Sequence, residues 1–138
     1  MTQHLGKNIP TPTAGTQTYW DACHNHQFKI QRCSDCQHYQ FYPRIICTQC
    51  MSERVDWVEV SGLAEVVSYT VVARAVSKAY EMDVPYIVAL VALDEGPTMM
   101  TNIIDCAPEQ VHVGMPLKVC FEDWTEEITI PKFRPIAP

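Results

Sequence analysis

The sequence predicts a mainly β chain: an N-terminal helical segment, a zinc ribbon, and a C-terminal five-stranded closed barrel of the OB type. Two observations carry this. The first is a pair of CxxC motifs, Cys33-Ser-Asp-Cys36 and Cys47-Thr-Gln-Cys50, separated by ten residues that include Tyr39, Phe41, Tyr42 and Pro43. The second is a run of five strand-like segments in the part that follows Gly62, the first of them long. Five short strands with one long leading strand suit a small closed barrel better than an open sheet.

Each CxxC pair places two thiolates on one tight loop, and two such loops close a tetrahedron around one Zn²⁺ at metal–sulfur distances of about 2.3 Å. Two redox dithiols or a pair of disulfides are the alternatives, and the short aromatic spacer argues against both. Cys33, Cys36, Cys47 and Cys50 are therefore the expected metal ligands. Four cysteines leave no open coordination position, so the site reads as structural rather than hydrolytic. Tetrahedral thiolate sites also accept iron, and the sequence does not separate the two metals.

The other elements follow in order. Residues 1–15 are rich in Pro, Thr and Gly and read as an extended arm. Thr16 is the expected N-cap of a short helix running to about His26, with Tyr19, Trp20 and Cys23 along one apolar side. Strands are expected at 28–32 and 55–60, flanking the ribbon. In the barrel they are expected at 63–75, 85–94, 98–104, 116–123 and 128–133, with a turn at Glu95-Gly96-Pro97. The stretch 105–114 reads as a loop with a helical turn at 108–110. The expected division is 1–27 arm and helix, 28–54 ribbon, 55–138 barrel.

One strand departs from the barrel pattern. In Tyr86–Leu93 both alternating sets are apolar, so the strand is expected to be covered on both faces. The N-terminal helix and ribbon could supply the outer cover, or another polypeptide could. The partner surface is expected on the outer face of this strand or on the neighbouring arm 99–104, together with the ribbon rim 42–46.

Composition narrows the function. The chain has 138 residues, 47% hydrophobic and 19% charged, enough for one cored domain with an appendage. No apolar run reaches the length of a membrane span, and the N-terminus lacks the pattern of a signal peptide. Cys23, Cys106 and Cys120 form an odd remainder beside the four ligands, which fits a reducing cytoplasm. Net charge is −6, with residues 51–138 carrying six basic and fourteen acidic side chains. An acidic barrel works against phosphate binding, so a single-stranded nucleic-acid module is the alternative function rather than the first. Phe28, Tyr39, Phe41 and Tyr42 could stack bases in that alternative, though a small ribbon needs its aromatics for packing.

Conventional catalysis is hard to assemble. The sequence has no GxSxG, HExxH or Walker-type loop. A thiol nucleophile would need Cys23, Cys106 or Cys120 beside His24, His26, His38 or His112, and free cysteine is more often a small hydrophobe. His38 lies after the first CxxC and reads as a neighbour of the metal rather than a ligand. No catalytic residue is assigned.

The order of motifs adds a resemblance. It runs Thr18-Tyr-Trp-Asp-Ala, Ile30-Gln-Arg-Cys33-x-x-Cys36, Phe41-Tyr-Pro-Arg44, Cys47-x-x-Cys50 and Trp57-Val-Glu-Val-Ser-Gly62. Then come Tyr69-Thr-Val, Pro85-Tyr-Ile-Val-Ala-Leu-Val-Ala-Leu-Asp-Glu-Gly96, Val113-Gly-Met-Pro-Leu-Lys-Val119 and Phe133-Arg-Pro135. From about residue 10 onward this resembles the acyl-CoA-associated OB-fold proteins of bacteria and archaea, first catalogued as domain of unknown function 35. The resemblance implies a helical segment, a rubredoxin-like zinc ribbon ligated by the four cysteines, and an OB barrel. It implies a non-catalytic subunit partnered, as a hetero-oligomer, with a thiolase-like protein: thiolase, retro-aldolase or acyltransferase, or in some members a hydratase. The partner would hold the nucleophile and the CoA thioester, and this subunit would stabilise it and help shape its substrate channel. Lys29, Arg32 and Arg44 could meet the phosphates of that CoA.

Overall fold

A computed structural model of the chain describes residues 6–136. The beginning of the arm, residues 1–5, lies outside the described residues. Helix α1 (Gln17–His24) is followed by β1 (Lys29–Cys33), β2 (Tyr39–Gln40) and β3 (Val55–Glu59). The remaining strands are β4 (Leu63–Val72), β5 (Tyr86–Leu93), β6 (Thr98–Ile103), β7 (Pro116–Asp123) and β8 (Thr129–Pro135). A 3₁₀ turn at Lys78–Tyr80 sits in the loop between β4 and β5.

The first three strands form an antiparallel sheet in the order β2-β1-β3, and the other five close a barrel in the order β4-β5-β6-β8-β7. This is the mainly β architecture that the sequence predicts. Closure needs one parallel contact, Ile103 beside Phe133, and one short antiparallel contact, residues 63–65 of β4 against 116–118 of β7. The barrel core is built from inward residues of every strand, with Val66, Ile87, Val91, Leu117 and Phe133 fully enclosed.

Aromatic packing joins the parts. Tyr19 of α1 meets Phe28 and Phe41 edge-on at 6.4 and 5.8 Å, and Phe28 meets Phe133 of the barrel at 6.1 Å. Edge-to-face rings within 7 Å are favourable beyond the area they bury. Cys23 is fully buried beside Tyr19, as the apolar side of the helix predicts. His26, past the helix end, stacks on Phe121 and meets Asp123 at 3.1 Å. Thr129 Oγ1 donates to the same carboxylate oxygen at 2.6 Å. That hydrogen bond first, and His26 second, hold the Asp123 carboxyl below its usual range.

Several expectations are corrected. Thr16 occupies the N-cap position as expected but makes no side-chain cap; its hydroxyl instead accepts from the Thr13 N–H at 2.8 Å, because the chain already turns at Thr13. The helix ends at His24 rather than His26, whose φ of 57° is left-handed and breaks the helical path. β4 stops at Val72, short of Ala75, while β8 is shifted and extended to Thr129–Pro135. The outer face of β5 is not covered by the helix and ribbon. α1 packs against β8 and β1 instead. Tyr86, Val88 and Ala92 are half-buried, and Leu90 is exposed beside Met100 of β6, itself 64% exposed.

The junction from ribbon to barrel turns on Gly62. Its φ is +77°, and a Cβ there would lie 2.5 Å from Val119 Cγ1, while its carbonyl accepts the Val119 N–H at 2.8 Å. Left-handed backbone and close approach both require glycine here. Gly62→Ala should destabilise the chain by about 1–3 kcal/mol. Denaturant titration with an unchanged m-value and a lowered midpoint is the expected result; an unchanged midpoint would contradict this account.

Candidate metal centre

β1 ends on Cys33, so the first knuckle begins where the sheet stops. Two chain segments then adopt the same geometry. The Cys33 and Cys47 N–H groups donate to the carbonyls of His38 and Ser52, each five residues on. The Gln37 and Met51 N–H groups return to the carbonyls of Cys33 and Cys47, and both Gln37 and Met51 have φ of 68°. The two CxxC loops are thus local copies of one another, facing across a common centre.

The four sulfurs lie within 4.8 Å of one another. Cys33 Sγ is 3.6 Å from Cys50 Sγ, and Cys36 Sγ is 3.5 Å from Cys47 Sγ. A tetrahedron with metal–sulfur bonds of about 2.3 Å has edges of about 3.8 Å, so the cage has the right size for zinc. These separations are far too long for disulfides, and all seven cysteines are free. Backbone N–H groups point at the sulfurs: Cys36 N–H at Cys33 Sγ (3.5 Å), and Gln49 and Cys50 N–H at Cys47 Sγ (3.3 and 3.4 Å).

The thiols divide accordingly. The Cys36 N–H holds Cys33 below its ordinary value, and the Cys50 N–H, against desolvation, brings Cys47 down to about 7. At Cys50 the Ser52 N–H pulls down, but desolvation and the three neighbouring thiols push it up to about 12. Cys36 is also raised, its His38 N–H outweighed by desolvation and by Cys47. Negative charge is favoured at two sulfurs and crowded at the others, and a divalent cation at the centre relieves that crowding.

Two residues that the sequence reading passed over brace the site. Gln31 and Gln40 are opposite one another on β1 and β2, and both are buried. Gln40 Nε2 donates to Gln31 Oε1 at 2.8 Å, and Gln40 Oε1 accepts from the Thr48 N–H and hydroxyl. Gln31 exchanges both of its amide groups with the backbone of Arg44 at 2.8 and 3.0 Å. The loop between the CxxC pairs is therefore held by side-chain amides standing in for a missing strand. Their signal in the sequence was two polar residues among apolar and aromatic ones in short strands. Outside the cage, Ser52 Oγ donates to Asp35, which also meets Arg54 at 3.5 Å.

Phe28 and Phe41 pack inward, so the expected aromatic group is not a surface platform for bases. Tyr39 is half-buried like Phe41, Tyr42 alone of the four is exposed, and the Arg32 and Arg44 guanidiniums lie over the Tyr39 and Tyr42 rings at 5.3 and 5.8 Å. His38 contributes a carbonyl to the first knuckle and no ring nitrogen to the sulfur cluster. Burial pushes the Cys23 thiol up to about 12, and desolvation also raises Cys106 and Cys120. Among the described residues, none of the three is hydrogen-bonded to a histidine. Nor does any helix have the length and apolarity to cross a membrane.

A broad groove of about 1130 Å³ lies elsewhere, between the outer side of β5–β6 and the loop 76–83. Lys7 and Lys132 flank the Trp124 ring there at 5.3 and 5.5 Å. Lys7 pairs with Asp83 at 2.7 Å and Lys132 with Glu122 at 2.9 Å, so these two cations are balanced where they lie.

A closed four-thiol cage on a three-stranded ribbon, followed by a five-stranded barrel, defines a zinc ribbon–OB protein. Comparison with known proteins makes this specific. Residues 20–56 match the family model described as the ChsH2 rubredoxin-like zinc ribbon domain, and residues 57–122 match the ChsH2 C-terminal OB-fold domain. The chain belongs to this ChsH2 (DUF35) family. It is 35% identical to a DUF35 domain-containing scaffold protein of Methanocaldococcus jannaschii, over 76% of this chain and 79% of that protein. It is 38% identical to a probable enoyl-CoA hydratase alpha subunit of Thermomonospora curvata over 87% of its own length, but spans only 37% of that relative. A solved structure described as the Ltp2-ChsH2(DUF35) aldolase superposes with a TM-score of 0.82 at 35% identity, over 91% of this chain and 98% of that one.

Gln40→Ala removes the hydrogen bonds of the buried Gln40 amide to Gln31, Ile46 and Thr48 and should destabilise the chain by about 1–3 kcal/mol. Zinc content of the purified variant should be unchanged. Wild-type stability together with full zinc would show that the amide bridge does not brace the loop.

Proposed function

We propose that this chain is a non-catalytic zinc-binding subunit of a thiolase-like acyl-CoA enzyme complex that forms or breaks a carbon–carbon bond. Cys33, Cys36, Cys47 and Cys50 hold one structural Zn²⁺, which closes the ribbon and supplies folding energy. The catalytic partner carries the nucleophile and the CoA thioester; this subunit stabilises the partner and helps shape its substrate channel. The setting is cytoplasmic, in keeping with seven unpaired thiols.

The observation that carries the reading is the match, over nearly the full length of both chains, to a subunit solved within an aldolase complex. The site chemistry agrees, since a metal cage with no open position offers no Lewis-acid chemistry to a substrate. Two exposed apolar regions support a protein partner. One is the outer β5–β6 face with Leu90 and Met100; the other is the ribbon rim, where Tyr42 is exposed and Ile45 is 88% exposed. Lys29, Arg32 and Arg44 lie on the ribbon that carries this rim and are the residues to meet CoA phosphates at the joint surface. The nucleic-acid alternative loses support twice, from the acidic barrel and from the packing of Phe28, buried, and Phe41, half-buried, against the core.

Two experiments test this. Cys47→Ser should lose the metal, measured by elemental analysis, and lose cooperative unfolding of the ribbon. A variant that retained one zinc per chain would remove the ligand assignment. Co-expression with a thiolase-like partner protein from the same organism should yield a complex through one affinity tag. Met100→Asp, on the exposed outer face, should weaken that complex by about tenfold or more while zinc content stays intact. Full activity of the partner alone, with no co-purification, would overturn the proposed role.

A further inference from the structure

The barrel closes over only part of β4. Its first three residues pair with β7, and the Val66 N–H and C=O are bonded to Met115 and Gly114. Beyond that point β4 pairs with β5 alone, from Ser68 to Val72. In an antiparallel pair every second residue turns its N–H and C=O away from its neighbour. Among the described residues, no backbone hydrogen bond outside the β4–β5 ladder reaches residues 67–76. This is an open sheet edge, and its side chains do little to protect it. Val67, Tyr69 and Val71 are 46, 41 and 38% exposed. The segment Val67-Ser-Tyr-Thr-Val-Val72 contains no charge, proline or glycine. Native proteins ordinarily protect such edges with lysine, proline, a bulge or a cover. The bulge of this strand lies at Val67, at the barrel end, and leaves 68–72 regular.

We infer that this edge pairs with the same edge of a second copy of the chain, antiparallel about a two-fold axis at Tyr69. The self-complementarity is read residue by residue. In that register Tyr69 lies beside Tyr69 of the second copy, and Ser68 lies opposite its Thr70, a hydroxyl pair that favours cross-strand contact. Val71 comes beside Val67. The charges that flank the segment do not meet their like, since Glu65 falls opposite Ala73 and Arg74 opposite Ala64. The two β4–β5–β6 arrays then form one continuous six-stranded sheet across an isologous interface. The inference goes beyond the heteromeric role and is independent of it, because it concerns the purified chain alone.

Charge supplies a signature. Each copy carries −6, so long-range repulsion opposes self-pairing and salt relieves it, with a screening length of about 8 Å at physiological ionic strength. An acidic chain that received a basic strand from another protein at this edge would show the reverse. Sedimentation equilibrium of the zinc-loaded full chain should give a monomer–dimer equilibrium that tightens as salt is raised. The double variant Ser68→Lys/Thr70→Lys sets like charges opposite one another at both ends of the pairing and should raise the dimer Kd by roughly tenfold or more. The double variant Ser68→Lys/Thr70→Glu places opposite charges across the same two-fold and should restore dimerisation. Circular dichroism and zinc content should match the wild type for both, since both positions are exposed. A wild-type chain that stays monomeric at every salt concentration overturns the inference and leaves the edge to a foreign strand. Two variants with the same Kd would overturn the register.

Discussion

Four sulfurs held within 4.8 Å of one another repel as thiolates and cooperate as ligands, and the ribbon is organised around that constraint. The N–H groups of both knuckles stabilise charge at Cys33 and Cys47, and the remaining repulsion falls on Cys36 and Cys50. A divalent cation at the centre would relieve that repulsion. Without one, the three-stranded sheet has little to hold it, because β2 is only two residues long and much of the loop after it is tethered by two glutamine amides. The metal and the Gln31–Gln40 pair are therefore joint requirements of one small structure. The cage closes the loop ends, and the amides fix the path between them.

The ribbon in turn is not a separate bead. Phe28 enters β1 from the helix side and touches both Tyr19 and Phe133, so one buried ring belongs to three elements. Gly62 closes the other covalent route by letting the chain pass against Val119. The proposed role of holding a catalytic partner needs a fixed geometry between docking surfaces. These two junctions supply it without a flexible linker.

The sequence disclosed what rests on covalent spacing and local pattern. The CxxC pairs announce the cage, and apolar, β-branched composition with turn residues between segments locates all five barrel strands within a few residues. It did not disclose what depends on which strand lies beside which. Val- and Thr-rich composition puts the end of β4 at Ala75, whereas its pairing stops at Val72. The composition of Tyr86–Leu93 calls for cover on both faces, yet α1 packs on β8 and β1. The open edge of β4 was invisible for the same reason, since being an edge is a property of the neighbours. Gln31 and Gln40 escaped notice because a buried amide and a solvated one look alike until the strands are paired.

The duplicated knuckles carry one more consequence, for the kinetics of metal exchange. Their backbones repeat, but their surroundings do not: Cys33 and Cys47 are enclosed, Cys36 is partly covered, and Cys50 faces solvent. Release of a tightly caged ion proceeds one bond at a time, and the first bond to open is the one an incoming ligand or oxidant can reach. A cage symmetric in its bonding would thus be directional in its lability, since the Cys50 sulfur is the one an incoming ligand would reach first. Whatever covers the second knuckle would then slow zinc turnover without touching the ion.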